Sequence, residues 1–223
     1  TGVLHCWTLK DARAIAKRAT QGARVLQMGA GFIGCIIMES LAARGVQLTV
    51  VEMGDRMVPR MMGPTAGGMI KDWCEKKGVR VFTGTRVDAI EAAGAAAAPA
   101  QSEGLLTRLA HAVGLGHQEA PAAAASGAPL KVKLSNGQTL EADLVISATG
   151  VKPNIGFIET SGIKCLLGVL TDEHLQTNVP GVYAAGDCAE AFDKVSGKTI
   201  VSAIQPNAAE QARVAALNMV GRK

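Results

Sequence analysis

One glycine pattern near the start of the chain constrains its fold more than any other segment. A short apolar run, Arg24 to Met28, precedes it, and Phe32 to Arg44 carries apolar residues at helical spacing after it. The pattern is G-x-G-x-x-G and consists of Gly29, Ala30, Gly31, Phe32, Ile33 and Gly34. A strand, a tight turn and a helix are therefore predicted in succession.

The three glycines of this pattern have separate physical tasks. Gly29 makes the tight turn, Gly31 lets the backbone come close to a pyrophosphate, and Gly34 lets the helix pack closely on the strand. Free N–H groups and the positive end of the helix dipole then stabilise the phosphate charges. We predict a dinucleotide site on this turn, against the alternative of a glycine-rich turn that only joins a strand to a helix.

A carboxylate at the end of the next strand strengthens this prediction. Val46 to Val51 is apolar on both faces and rich in β-branched residues, as is typical of a buried parallel strand. Glu52 follows it, 18 residues after Gly34, close to the spacing of about 20 expected for the acid that binds the adenosine ribose. Because a carboxylate there repels a 2′-phosphate, NADH is expected rather than NADPH. Arg56 is interpreted as a pyrophosphate contact or a surface residue.

The rest of the chain alternates helical and strand patterns, which indicates an α/β fold. Helices are predicted over Thr8 to Thr20, with Thr8 as the N-cap, over Ala66 to Lys77, and from Pro206, as the first helical residue, to Met219. Strands are predicted over Val79 to Phe82, Val87 to Glu91, Lys131 to Leu134, Thr139 to Glu141, Leu144 to Ala148 and Val182 to Asp187. The second, third and fourth of these strands form an antiparallel meander with a hairpin turn at Asn136-Gly137.

Residues 92–128 interrupt this meander with a low-complexity stretch of Ala, Gly and Pro. The composition fits a partner-binding flap, but a solvated low-complexity loop is the favoured interpretation. No chemistry is assigned to this insertion.

Two further motifs place polar groups at the ends of predicted strands. Thr149 and Gly150 follow a buried strand, and this end is expected beside the first glycine turn because ligands bind at the carboxyl ends of parallel strands. The other motif ends in Gly186 and the carboxylate of Asp187, and it reads Thr177-Asn178-Val179-Pro180-Gly181-Val182-Tyr183-Ala184-Ala185-Gly186-Asp187.

In this order, the motifs resemble the pyridine nucleotide-disulfide oxidoreductase superfamily of flavoproteins. The resemblance implies a Rossmann-like three-layer (β/β/α) FAD/NAD(P)-binding fold, with an NAD-binding domain at 1–150 and the C-terminal part of an FAD-binding domain at 151–223. It implies that Asp187, after Gly186, contacts the ribitol of FAD. It also implies that Gln205 and Pro206 begin a helix whose amides lie against the flavin ring, where the helix dipole stabilises the anionic reduced flavin.

The sequence departs from this family pattern in two ways. A first FAD-binding glycine motif and a C-terminal interface domain are missing from it, so we expect an excised central piece that holds FAD poorly alone. Ile36 stands where many members have Glu, and no C-x-x-C or C-x-x-x-x-C pair occurs. These differences favour the NADH-dependent branch that includes nitrite reductase electron-input modules, NADH oxidases and rubredoxin or ferredoxin reductases.

The function implied is an NADH-dependent FAD oxidoreductase that passes hydride from NADH to flavin and electrons to an unidentified acceptor. No catalytic side chain is assigned within this piece, and a homodimer of the full-length parent is compatible with the resemblance. The alternative hypothesis is a non-catalytic NAD-binding module or regulator without flavin.

Composition argues against several other classes of protein. The formal charge of +4 comes from scattered basic residues, which argues against a nucleic-acid groove. The longest apolar runs are too short to span a membrane. Five cysteines without a C-x-x-C pair favour a reducing compartment, and the cytoplasm is expected. The four histidines show no ligand spacing, so no metal site is predicted.

Overall fold

A computed structural model describes residues 2–92, 129–158 and 160–222 of the chain. By backbone contacts the chain divides into two compact units, Thr1–Gly150 and Val151–Lys223. The predicted low-complexity insertion at 92–128 lies, apart from Ala92, outside the described residues.

The first unit is built around a parallel sheet. In chain order its elements are β1 (Val3–His5), α1 (Leu9–Arg18), β2 (Arg24–Met28), α2 (Phe32–Ala42), β3 (Gln47–Val51), α3 (Pro64–Lys76), β4 (Arg80–Phe82), β5 (Val87–Ala92), β6 (Leu130–Leu134), β7 (Thr139–Ala142) and β8 (Leu144–Ser147). The parallel sheet has the strand order β1-β8-β2-β3-β4, and β5-β6-β7 form a separate antiparallel sheet. The predicted βαβ units and meander are confirmed.

The central strands bury side chains on both faces, which produces three layers. Val25 packs with Leu41 of α2 in the cluster on the helical side of the sheet, whereas Leu26 packs with Val132 of β6 in the cluster on the meander side. All four side chains are at most 2% exposed. Alternation of neighbouring strand residues between two apolar layers explains why β2 is mostly apolar in sequence.

Two helix ends follow the signals in the sequence. Thr8 Oγ1 accepts the Asp11 N–H at 3.2 Å, and the Asp11 carboxylate accepts the Thr8 N–H at 2.8 Å, so a capping box begins α1. Gly78 follows α3 with φ of +82°, in the left-handed region that glycine adopts without strain. None of the described helices combines the length and the apolar character that a membrane crossing requires.

The described residues of the second unit, 151–158 and 160–222, form three short strands and one long helix. They are β9 (Val169–Leu170), β10 (Ala189–Asp193), β11 (Lys198–Ile200) and α4 (Gln205–Met219). β10 pairs parallel with β9 and antiparallel with β11.

The predicted strand Val182 to Asp187 is wrong. Within 160–222, Tyr183 forms a single isolated bridge, to Gln176, and Gly186–Cys188 forms a turn of 3₁₀-helix. Gly181 and Gly186 have φ of +80° and +82°. The two left-handed glycines restrict extended backbone to the few residues between them, so no ladder develops despite the apolar sequence.

Helix α4 begins one residue earlier than predicted. Ile204 is extended, with φ of −134°, and its carbonyl accepts the Ala208 N–H at 3.0 Å. The first helical residue is therefore Gln205, and Pro206 occupies the second position, where its missing N–H costs no helical hydrogen bond.

Glu190 on β10 anchors the second unit from inside. Its side chain is buried, and one carboxylate oxygen accepts the N–H groups of Leu167 and Gly168 at 2.8 and 2.9 Å. The other oxygen accepts the Thr199 hydroxyl at 3.0 Å. A single buried carboxylate thus joins the loop before β9 to β11.

We predict that Glu190→Ala destabilises the second unit by at least about 2 kcal/mol, because it leaves three donors without their acceptor. Amide hydrogen exchange at Leu167 and Gly168 measures the effect directly and should accelerate strongly. The exposed Glu173→Ala is the matched control and should leave both amides unchanged. Undiminished protection in Glu190→Ala would contradict the anchoring role.

Asp143, between β7 and β8, ties these strands to the start of β2. Its carboxylate accepts the Arg24 backbone N–H at 2.9 Å and the Arg24 guanidinium at 2.7 Å. Arg24 also pairs with Glu141. The Arg24 guanidinium lowers the pKa of Asp143 below its usual value.

This lowered pKa makes part of the stability of the first unit depend on pH. The folded state binds fewer protons at Asp143 than the unfolded state, so the contribution is present above about pH 4 and is lost as the pH falls through the folded pKa. Because the Asp143 side chain is 41% exposed, solvent screening limits the effect to less than about 1 kcal/mol. In urea unfolding, Asp143→Asn should have a lower free energy of unfolding than wild type at pH 7 and the same free energy near pH 2. The control Asp72→Asn should match wild type at both pH values.

Candidate functional site

The turn between β2 and α2 is closed by contacts that leave no room for side chains at two glycines. Gly29 has φ of +94°, and a Cβ there would lie 2.4 Å from the carbonyl oxygen of Ala148. A Cβ at Gly34 would lie 2.6 Å from the carbonyl oxygen of Gly29. Glycine is therefore required at both positions, one for the turn and one for close packing of α2.

Gly31 differs from the other two glycines because its surroundings are open. Its φ is −73°, which any residue adopts, and a Cβ there would meet no heavy atom within 4 Å. Gly31 is the N-cap of α2 and gives no side-chain cap. The space at Gly31 therefore adjoins the uncapped N-terminus of α2, the positive end of the helix dipole, where an anion is stabilised.

Glu52, directly after β3, holds the same turn from the side. Its carboxylate oxygens accept the N–H groups of Ala30 and Gly54, each at 2.7 Å. Each oxygen retains lone pairs for further hydrogen bonds. The carboxylate is thus fixed beside the turn while still able to accept hydroxyl groups.

The loop after β3 is also tied to the glycine turn. The Val58 N–H donates to the Ala30 carbonyl at 2.9 Å, and Val58 has φ of +49°. A β-branched residue in this left-handed region is strained. The Arg56 guanidinium bonds to the carbonyls of Met62 and Pro59 within this loop and pairs with the exposed Asp55. A contact of Arg56 with a pyrophosphate stays a prediction.

The residues after β8 lie beside the turn, in the position that the sequence suggests. The Cα of Thr149 would be 3.2 Å from a Cβ at Gly29, and Gly150 has φ of +103°. Arg60 Nη1 would be 4.0 Å from a Cβ at Gly150. Arg60 is exposed and makes no hydrogen bond or ion pair within the described ranges. Sequence reasoning missed this cation, although an Arg in the loop after Glu52 was a usable signal.

The other predicted site residues lie in the second unit. The Gly186 N–H donates to Gln211 Oε1 of α4 at 2.8 Å, and a Cβ at Gly186 would lie 3.5 Å from the Ala208 side chain. Asp187 is exposed, and no partner in 160–222 engages its carboxylate. The turn that carries Gly186 and Asp187 therefore packs on the first part of α4, whose exposed first residues are Gln205 and Pro206.

The cysteines of the described residues are all free. Burial raises the pKa of the Cys35 and Cys74 thiols, which disfavours the reactive thiolate. Ile36, at the position discussed for Glu, is 55% exposed. In the parts of the chain that the structure describes, no group of three His, Cys, Asp or Glu side chains is arranged to hold a metal ion.

Known proteins resemble this chain in sequence. Residues 2–215 match the family described as pyridine nucleotide-disulphide oxidoreductase. The chain is 31% identical over 214 residues to the NADH-dependent phenylglyoxylate dehydrogenase subunit epsilon of Aromatoleum evansii, covering 96% of this chain and 43% of that protein. It is also 31% identical over 218 residues to a rubredoxin-NAD(+) reductase of Acinetobacter baylyi, covering 96% and 46%.

A solved structure of a further reductase has the same fold. The ferredoxin reductase of Rhodopseudomonas palustris superposes with a TM-score of 0.75 and 27% sequence identity, over 98% of this chain and 46% of that one. The chain therefore spans less than half the length of the curated relatives just described. The matches confirm the predicted resemblance, the Rossmann-like α/β fold, and FAD and NAD(H) as the cofactors of the family.

The different surroundings of the three glycines predict different effects of the same substitution. Gly31→Ala should change the free energy of unfolding by less than about 1 kcal/mol, because the new methyl enters open space. Gly29→Ala and Gly34→Ala should each cost about 2 kcal/mol or more, since each forces an overlap and Gly29 also needs a left-handed φ. Urea unfolding of the three variants measures their losses in free energy of unfolding. A loss in Gly31→Ala as large as in the other two variants would contradict the open surroundings of Gly31.

Proposed function

We propose, since this chain belongs to the pyridine nucleotide-disulphide oxidoreductase family, that it is the nucleotide-binding part of an NADH-dependent FAD oxidoreductase. The observation that carries the proposal is the open space at Gly31, which lies before the uncapped N-terminus of α2. A pyrophosphate is the group that such a cradle accommodates.

The residues around this space would hold NADH through three kinds of contact. The amides of Gly31, Phe32, Ile33 and Gly34 would bind the pyrophosphate. Glu52 would accept the ribose hydroxyls through its remaining lone pairs, and its charge would repel a 2′-phosphate. Ala30 takes part indirectly, because its N–H fixes the carboxylate of Glu52. Thr149 and Gly150 would line the neighbouring strand end, where Arg60 adds a positive charge.

The second unit would contribute to flavin binding. The unengaged carboxylate of Asp187, after Gly186, is suited to accept the hydroxyls of the FAD ribitol. The α4 N-terminus at Gln205 and Pro206 would stabilise negative charge on a reduced flavin through its dipole. Held by these residues, the nicotinamide and the flavin would supply the hydride-transfer chemistry, and the protein would orient them. We accordingly assign residues 1–150 to NAD and 151–223 to FAD.

A small redox protein is the class of electron acceptor that we favour. Two of the relatives described above are named as rubredoxin and ferredoxin reductases. The free cysteines of the described residues and the apolar Ile36 support an acceptor other than a protein disulfide. The cytoplasmic location and the homodimer of the parent stay predictions.

A calorimetric titration of the chain with NADH and NADPH tests the nucleotide assignment. NADH should bind at least about tenfold more tightly than NADPH, because only NADPH places a phosphate against Glu52. Glu52→Gln should weaken NADH binding and reduce the preference, and Gly31→Val should abolish binding by filling the open space. Glu39→Gln, which removes an exposed carboxylate from α2, is the matched control and should bind as wild type does.

Equal affinity for the two nucleotides, or equal binding by Gly31→Val, would contradict the assignment. The flavin part has its own readout, the visible absorbance of FAD retained by the parent protein. Absorbance that decreases in Asp187→Ala would support the oxidoreductase, whereas a colourless parent that binds NADH would favour the flavin-free NAD-binding module.

A further inference from the structure

Gln27 is a polar side chain inside the apolar core. It lies on β2, two residues before Gly29, and it is 0% exposed. Its Nε2 amide group donates to the carbonyl oxygens of Gly29 and Gly34, both at 2.9 Å. One amide group therefore joins the first and the last residue of the glycine pattern.

The orientation of this amide carries a cost. With both N–H bonds directed at the two carbonyls, Oε1 is buried without a hydrogen-bond partner among the described residues. An unpaired buried polar atom is unfavourable, and an apolar side chain of the same size would avoid it. Core packing alone would therefore favour an apolar side chain at this position. A glutamine is explained by the two carbonyl oxygens to which its amide group donates.

Gln27 and Glu52 both hold the turn, through different backbone groups. Gln27 bonds to carbonyl oxygens of Gly29 and Gly34, whereas Glu52 bonds to the N–H group of Ala30. The backbones of Gly29 and Gly34 also lie close together, because a Cβ at Gly34 would be 2.6 Å from the Gly29 carbonyl oxygen. The distance between them sets where the first N–H groups of α2 stand relative to the end of β2.

We propose that Gln27 is a positioning residue of the nucleotide site, whose amide group holds the glycine turn in the conformation that accepts a pyrophosphate. The inference rests on the proposed function for its ligand, NADH. Gln27 lies beneath the turn and acts through Gly29 and Gly34.

Two substitutions separate the donor from the size of the side chain. Gln27→Met keeps the length and removes both donors. Gln27→Glu replaces them with a carboxylate that faces two carbonyl oxygens, and its protonated form regains one donor. Gln47→Glu introduces the same charge at the exposed start of β3 and is the matched control. Far-ultraviolet circular dichroism establishes that each variant is folded.

The first measurement is amide hydrogen exchange without ligand at Gly29, Ala30 and Cys35, whose N–H groups are hydrogen-bonded in the turn. It should accelerate about tenfold or more in Gln27→Met and remain unchanged in Gln47→Glu. Exchange and affinity within twofold of wild type in Gln27→Met would overturn the inference.

The second measurement is NADH affinity between about pH 5.5 and pH 8. We expect binding about tenfold weaker in Gln27→Met at every pH. In Gln27→Glu it should be weak at pH 8 and partly restored at pH 5.5, because burial favours the protonated acid. Two other titratable side chains, Glu52 and Cys35, also contact this turn. The pH dependence of NADH binding to wild type serves as the baseline for their contribution. If the NADH affinity of Gln27→Glu is not restored at pH 5.5, the inference is overturned.

Failure of the proposed function gives a different result. In that case wild type itself would bind no NADH, while the exchange measurement would still decide whether Gln27 holds the turn.

Discussion

The close approach of β2 and β8 at their carboxyl ends is the constraint on which the site depends. Gly29 leaves β2 so near the carbonyl of Ala148 that even a single methyl group would overlap it. This contact brings the end of β8 beside the start of α2. The backbone amides of α2, the carboxylate after β3 and the Thr149-Gly150 corner consequently meet at one edge of the sheet, as parallel strands require.

The sequence was most informative where chemistry limits the choice of residue. The glycine turn, the strands β2, β3 and β8, and Asn136-Gly137 all combine a backbone requirement with an apolar pattern, and the structure has each of them. Val182 to Asp187 shows the limit of such reasoning. Its apolar residues resemble a strand, but a strand also needs a partner, which local sequence does not specify.

The elements that sequence reasoning missed are short or depend on distant residues. β1 has three residues and exists because Val3 to His5 pair with Val145 to Ser147 of β8. The β10–β11 pair is equally inconspicuous, although Glu190 between apolar neighbours was a signal of a buried acceptor. Gln27 gave a similar signal as a lone amide in an apolar strand. Its two acceptors, the carbonyl oxygens of Gly29 and Gly34, are set by the fold of the turn and not by the local sequence.

The strand order also has a consequence for synthesis of the protein on the ribosome. β8 is the last strand of the first unit in the chain, yet it lies between β1 and β2 in the sheet. A nascent chain that ends before Leu144 has neither a partner for β1 nor the Ala148 carbonyl against which Gly29 packs. The glycine turn is translated early but is completed only after the strand that supports it has emerged, because pairing over such a separation must wait for both segments.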